Sequence, residues 1–221
     1  MTKQKLVPFV HVTSKVQGAK YPNLSRKIGP GWPQAAILDA QGQLLARLDC
    51  RALPVDGVEA IQTALEEDVA EFYALRDKAK KGKKEAKAEF FMKRLELDHV
   101  SLDEMKRALG KTSVLDDYQK AEVHERVVTA MTAANLAGLQ RGKASTYGPF
   151  AKKLLAQHKS VGLPEGPEGY GAWSVILDDA YLRKDAKTFA LAFRALRATG
   201  IVGKKFIEKN QKRLAEIGGG K

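Results

Sequence analysis

The chain has 221 residues, a formal net charge of +12 and 44% hydrophobic residues, so it can bury a core and is not globally disordered. A single cysteine excludes an internal disulfide framework, and no apolar run reaches the length of a membrane span. The start, Met1-Thr2-Lys3-Gln4-Lys5, leads into a short apolar run with no small-residue cleavage site, so the expected location is cytoplasmic, with no membrane partner.

The first clear element is a pair of apolar runs, 34–39 and 43–48, joined by Asp39-Ala40-Gln41-Gly42. Glycine at the end of that link suits a tight hairpin. The first run is apolar at almost every position, as in a strand covered on both faces. Trp32-Pro33 stands at its entrance, where a residue without an amide donor does no harm to a ladder. After Asp49-Cys50-Arg51-Ala52-Leu53-Pro54, a loop, Val55 opens a long helical pattern. Val58, Ile61, Leu65, Val69 and Phe72 keep three- and four-residue spacing, and Gly82 breaks it.

Everything after Lys83 reads as helix. Residues 85–97 place Ala88, Phe91 and Leu95 on one face. Ser101-Leu102-Asp103-Glu104 has the spacing of a capping box. Asp116-Asp117 precede a pattern through Val123, Val127 and Met131 that ends near Gly138. Gly148-Pro149 opens the next helix, since proline suits a first turn. Leu163-Pro164-Glu165-Gly166-Pro167-Glu168-Gly169 reads as a loop. Trp173, Ile176, Leu177, Ala180 and Tyr181 mark another helix. Asp185 caps the following one, with Phe189, Phe193 and Leu196 inside and Gly200 just past its end. The last helix is expected from about 203 to 217.

The front of the chain resembles the second half of a thioredoxin-like domain, over roughly residues 5–66. The resemblance places a strand at Val7–Ser14, a short helix at Tyr21–Ile28 and the family's cis-proline loop at Gly31-Trp32-Pro33-Gln34. Asp39-Ala40-Gln41-Gly42 takes the place of its D-x-x-G hairpin, and the helix from Val55 that of its last helix. Gln34 stands where the family usually has Thr. The family's reactive Cys-x-x-Cys has no counterpart. The resemblance therefore implies a domain lacking its central strand. Either the flanking strands pair directly, or a second copy supplies an edge, or the natural protein starts upstream of Met1. The last would follow from a start assigned downstream of an in-frame UGA that encodes selenocysteine.

Residues 172–199 resemble one tetratricopeptide unit, with Trp, Tyr, Ala and Phe at helical spacing. No second copy recurs at a fixed period, so an irregular helical bundle is expected over a solenoid. The expected fold class is α+β: a partial thioredoxin-like sheet over 1–66, then an all-α bundle or helical-hairpin stack over 67–221.

Few residues suggest chemistry. Trp32, Pro33 and Gln34 are, by the resemblance, a partner-docking loop; the bland reading is a rigid turn entering a strand. Cys50 is a candidate thiol, with Arg47 and Arg51 near enough in sequence to lower its pKa, though a lone cysteine is usually a small core residue. His11, His99, His124 and His158 share no metal-ligand spacing, and no phosphate-binding glycine motif occurs, so neither metal nor cofactor is expected. Glu66-Glu67-Asp68, Asp116-Asp117 and Asp178-Asp179 are adjacent, point apart on a helix, and read as surface.

The basic residues are unevenly spread. Residues 143–221 carry 15 basic and 7 acidic groups, which is most of the excess. One cluster is Lys78, Lys80, Lys81, Lys83, Lys84 and Lys87. Another is Lys204, Lys205, Lys209, Lys212 and Arg213, in which Lys205, Lys209 and Lys212 share a helix face. Either is a solvated face or a grip for polyanions. No catalytic group is visible. The leading expectation is a redox-inactive, thioredoxin-like interaction or scaffold protein with a basic helical domain, a protein partner and a route to homodimers through the incomplete sheet. The alternatives are a thiol-disulfide enzyme whose motif lies upstream, and a nucleic-acid-binding protein driven by residues 143–221.

Overall fold

The computed structural model describes residues 35–39, 43–48, 59 and 61–218. Among these the architecture is α+β and mostly helical, with a two-stranded antiparallel sheet near the N-terminus. The chain divides into two compact units between Ser101 and Leu102.

The first unit is built on the hairpin of β1 (Ala35–Leu38) and β2 (Leu44–Leu48). Asp39 closes it with two bonds: its amide donates to the Gln43 carbonyl at 2.9 Å, and its carboxylate accepts from the Gln43 amide at 2.8 Å. A short acidic side chain that folds back on its own turn is why aspartate suits this place. Ala36 lies opposite Arg47 and Ile37 opposite Ala46, and the register shifts after Ile37. Leu44, Leu45 and Ala46 are all buried. Consecutive strand residues face opposite sides, so both faces of β2 are covered there.

The chain is helical again from residue 61, passes through a wide π turn at Leu65–Val69, and continues as α1 (Ala70–Lys80). Gly82 turns the chain at φ 90° into α2 (Lys84–Glu96). Glycine is required there because that backbone region crowds a Cβ. Lys93 of α2 reaches Glu71 of α1 and Glu96 of its own helix, each at 3.4 Å. Burial disfavours its charge, but Glu96 and Glu71 outweigh that and raise its pKa. Asp98 ends α2 with φ 57°, the amide of His99 donating to Arg94 and that of Asp98 to Leu95. This is the usual left-handed helix stop. The Asp98 carboxylate meets Arg47 of β2 at 3.2 Å.

Ile37, Leu44, Leu45 and Ala46 share one core with Val69, Phe72 and Leu97. The Phe72 and Phe90 rings lie 5.4 Å apart, joining α1 to α2. The sequence reading places a domain boundary after residue 66. The compact units divide 35 residues later because these side chains bury against the hairpin.

The second unit is all helical: α3 (Leu102–Ala108), α4 (Asp117–Leu136), α5 (Gly148–Ser160), α6 (Tyr170–Leu182), α7 (Ala186–Ala198) and α8 (Lys204–Gly218). Each packs on the next, and α8 also touches α6. Asp116 and Gln119 make a reciprocal capping box at the start of α4, with bonds of 2.8 and 3.1 Å. Pro149 sits in the first turn of α5. Leu154, Ile176, Phe189 and Leu196 form the fully buried centre. No helix among the described residues is long and apolar enough to cross a membrane.

The turn between α6 and α7 takes only three residues. Lys184 adopts φ 57°, and the Asp185 amide donates back to Ala180 at 2.9 Å, ending α6. The Asp185 carboxylate then accepts from the Thr188 amide at 3.0 Å and starts α7. That bond, aided by the nearby Arg183 guanidinium, holds the Asp185 carboxyl below its usual pKa. The carboxylate form is favoured in the fold, so its contribution is present above about pH 4 and is lost as pH falls through the folded pKa. Asp185→Ala should lower stability by about 1 kcal/mol at pH 7. Thermal unfolding of both proteins from pH 7 to pH 2 should show the gap closing on the acid side.

Candidate functional site

Residues 183–213 hold ten basic and two acidic side chains. They span α7, α8 and the turns beside them; Lys184 lies exposed in the α6–α7 turn, and the fold sorts the other nine into two groups. Some cations are paired with acids. Arg183 pairs with buried Asp179 at 2.8 Å and with Asp185 at 3.5 Å. Arg213 bonds Asp178 at 3.3 Å, lies 4.5 Å from the centre of the Tyr181 ring and reaches Asn210 at 3.5 Å. Lys204 meets Glu208 at 3.9 Å.

The Arg213 contacts belong to the seam between α6 and α8. Tyr181 donates to Glu216 at 2.7 Å in the same seam. That bond, helped by burial and by the Glu216 charge and opposed by Arg213, raises the phenol pKa. Buried Asn210 turns its amide onto the Phe206 carbonyl at 2.9 Å. So α8 is fastened by polar groups as well as by Phe206, Ile207 and Leu214.

The other group faces outward. On α7 the core takes Phe189, Ala192, Phe193 and Leu196. At 100° per residue, Lys187, Leu191, Arg194 and Ala198 fall on the opposite side. Lys187, Arg194 and neighbouring Arg197 are exposed and make no ion pair among the described residues. Leu191 is 39% exposed among them and Ile201, just past the helix, 52%. On α8, Lys205, Lys209 and Lys212 line one flank, exposed and likewise without ion pairs among the described residues. Two helices that pack together thus each present three exposed cations without ion pairs among the described residues, those of α7 on or beside the same stripe as Leu191.

Several residues singled out in the sequence fall elsewhere. Trp32, Pro33, Gln34 and Cys50, and with them His11, lie outside the described residues. Of the basic face, Lys205, Lys209 and Lys212 stand together, while Arg213 is turned into the seam and Lys204 toward Glu208. No group of His, Cys, Asp or Glu among the described residues gathers as a metal site. The His158 ring packs edge-on against Trp173, 4.9 Å between centres. The acidic pairs serve the fold: Asp116 caps α4, Asp178 holds Arg213, and Asp179, read as surface, is 6% exposed. The outward stripe of α7 was missed. Its signal was present as Lys187, Leu191 and Arg194 at i, i+4 and i+7, opposite the phenylalanines.

Comparisons of the chain with models of protein families, with curated proteins and with solved structures give no match.

Proposed function

We propose that this is an interaction protein, in which the α7–α8 surface holds an acidic segment of a protein partner. The observation that carries this reading is the set of exposed cations without ion pairs among the described residues: Lys187, Arg194 and Arg197 with exposed Leu191 on α7, and Lys205, Lys209 and Lys212 on α8, which packs against it. Cations spread over a surface attract any polyanion. Aliphatic side chains among them favour a protein, because protein interfaces pair an apolar centre with a polar rim. The tightly fastened α8 presents its lysines from a fixed helix.

In this reading the front unit is a redox-inactive, thioredoxin-like remnant. The Asp39-closed antiparallel hairpin, followed by a helix that packs on it, supports that assignment. Insulin reduction by the 221-residue chain should be silent. Activity that disappears with Cys50→Ala would place the chain among thiol-disulfide enzymes.

The partner surface is tested by titrating labelled poly-L-glutamate into the protein at 50 and 150 mM salt. Lys187→Glu/Arg194→Glu should weaken binding at least about tenfold, as expected when charges facing a polyanion are reversed. Unchanged affinity in that variant would overturn the assignment to α7.

A further inference from the structure

The turn between α1 and α2 carries a second cationic site, in the other unit, that the reading above does not use. Lys78, Lys80, Lys81, Lys83, Lys84 and Lys87 fall within ten residues, with Glu85 the single acid among them. All six are exposed. Lys80 touches Asp77 at 3.8 Å, and the other five make no ion pair among the described residues. We propose that this lysine-lined turn grips the phosphate backbone of double-stranded nucleic acid without reading its sequence.

Helix stability explains half of the cluster and no more. Lys78, Lys80 and Lys81 stand at the C-terminal end of α1, where the helix dipole favours cations. Lys83, Lys84 and Lys87 stand at the N-terminal end of α2, where the dipole disfavours them. They also repel the three lysines across Gly82. Glu85 is the one acid in the first turn of α2 and Asp77 meets Lys80, which leaves an excess of lysines on both sides of Gly82 whose favourable partner is an external anion.

The chemistry around the turn narrows the anion. The exposed large apolar side chains among the described residues are Tyr118, Leu182, Leu191 and Ile201, and none lies at this turn. Without an apolar anchor it lacks what inserts a helix into a lipid interface or centres a protein contact. Without an exposed aromatic ring it has nothing on which unpaired bases stack. Lysines that act as point charges position a duplex backbone and carry no base readout. This inference stands apart from the α7–α8 reading, and either can fail alone.

The test is fluorescence anisotropy of the 221-residue chain with a labelled 24-base-pair duplex between 50 and 200 mM salt. About five phosphate contacts give a slope of log K against log salt near −4.5. Lys81→Gln/Lys83→Gln/Lys84→Gln/Lys87→Gln should reduce that slope to about −1 and weaken binding at least about thirtyfold at 50 mM. These side chains are exposed, and an unchanged circular dichroism spectrum checks the fold. Lys205→Gln/Lys209→Gln/Lys212→Gln should lower the slope and the affinity by clearly less than the α1–α2 variant does. Four results would overturn the proposal: no duplex binding at 50 mM, equal binding by the α1–α2 variant, loss confined to the α8 variant, or tighter binding to phosphatidylserine vesicles than to the duplex.

Discussion

Gly169→Ala should destabilise the second unit by about 3 kcal/mol, near the upper end for an overpacking change. A Cβ built on Gly169 overlaps the carbonyl oxygen of Pro164 and lies 3.3 Å from Cδ1 of Trp173. The obstruction is backbone in a loop whose Leu163 and Pro164 are buried, so no side-chain rotation relieves it. Moving the loop would disturb Trp173, which is packed on His158 and on the core. The melting temperature should fall by about 10 °C in a unit of this size. Gly171→Ala is the matched control. Its Cβ would meet nothing within 4 Å, and the residue lies inside α6. There the change should stabilise by about 0.5–1 kcal/mol through better helix propensity. Hydrogen exchange of the α6 amides reads both variants.

Gln157→Leu should cost about 2–3 kcal/mol, because it strips partners from buried polar groups rather than removing a contact in water. Gln157 lies on α5 at 2% exposure and works at both ends of its amide. Its nitrogen donates to the Val128 carbonyl at 3.0 Å and to the Thr132 hydroxyl at 2.9 Å. Its oxygen accepts from Asn135 at 2.8 Å. Thr132 in turn donates to the Val128 carbonyl at 2.9 Å. These bonds fix the register of α5 on α4. Leucine keeps most of the volume and none of the bonds. Adding Thr132→Val should recover part of the loss, because it removes a hydroxyl that the leucine leaves short of a partner. Denaturant unfolding of the two variants measures the coupling.

How much was legible depended on whether a signal was local. The hairpin was readable because Asp39 and its apolar flanks act within ten residues. The α6–α7 turn was readable for the same reason, since Asp185 reports its own capping role. The boundary at 101/102 was not. It depends on Val69, Phe72 and Leu97 meeting Leu44 and Leu45, and spacing along a helix does not say which surface its apolar face finds. Asp179 was misplaced on similar grounds: a carboxylate three residues from a helix end reads as surface until Arg183 is seen to pair with it. The division of the basic residues was equally hidden. Arg213 and Lys212 are neighbours in sequence, yet one holds Asp178 and the other is exposed, because a 100° step separates them.

The central claim is that the α7–α8 surface meets a protein partner. It is tested most directly by placing a photo-crosslinking residue at Leu191 in the protein expressed in its source cells, with Tyr118 as the comparison. Tyr118 is 82% exposed on α4 and belongs to no part of the cationic surface. The account predicts a discrete adduct at position 191, formed with an acidic segment of another protein and lost when Lys187→Glu/Arg194→Glu is added. Equal labelling at 191 and 118, or an adduct at 191 that survives the charge reversal, would contradict it.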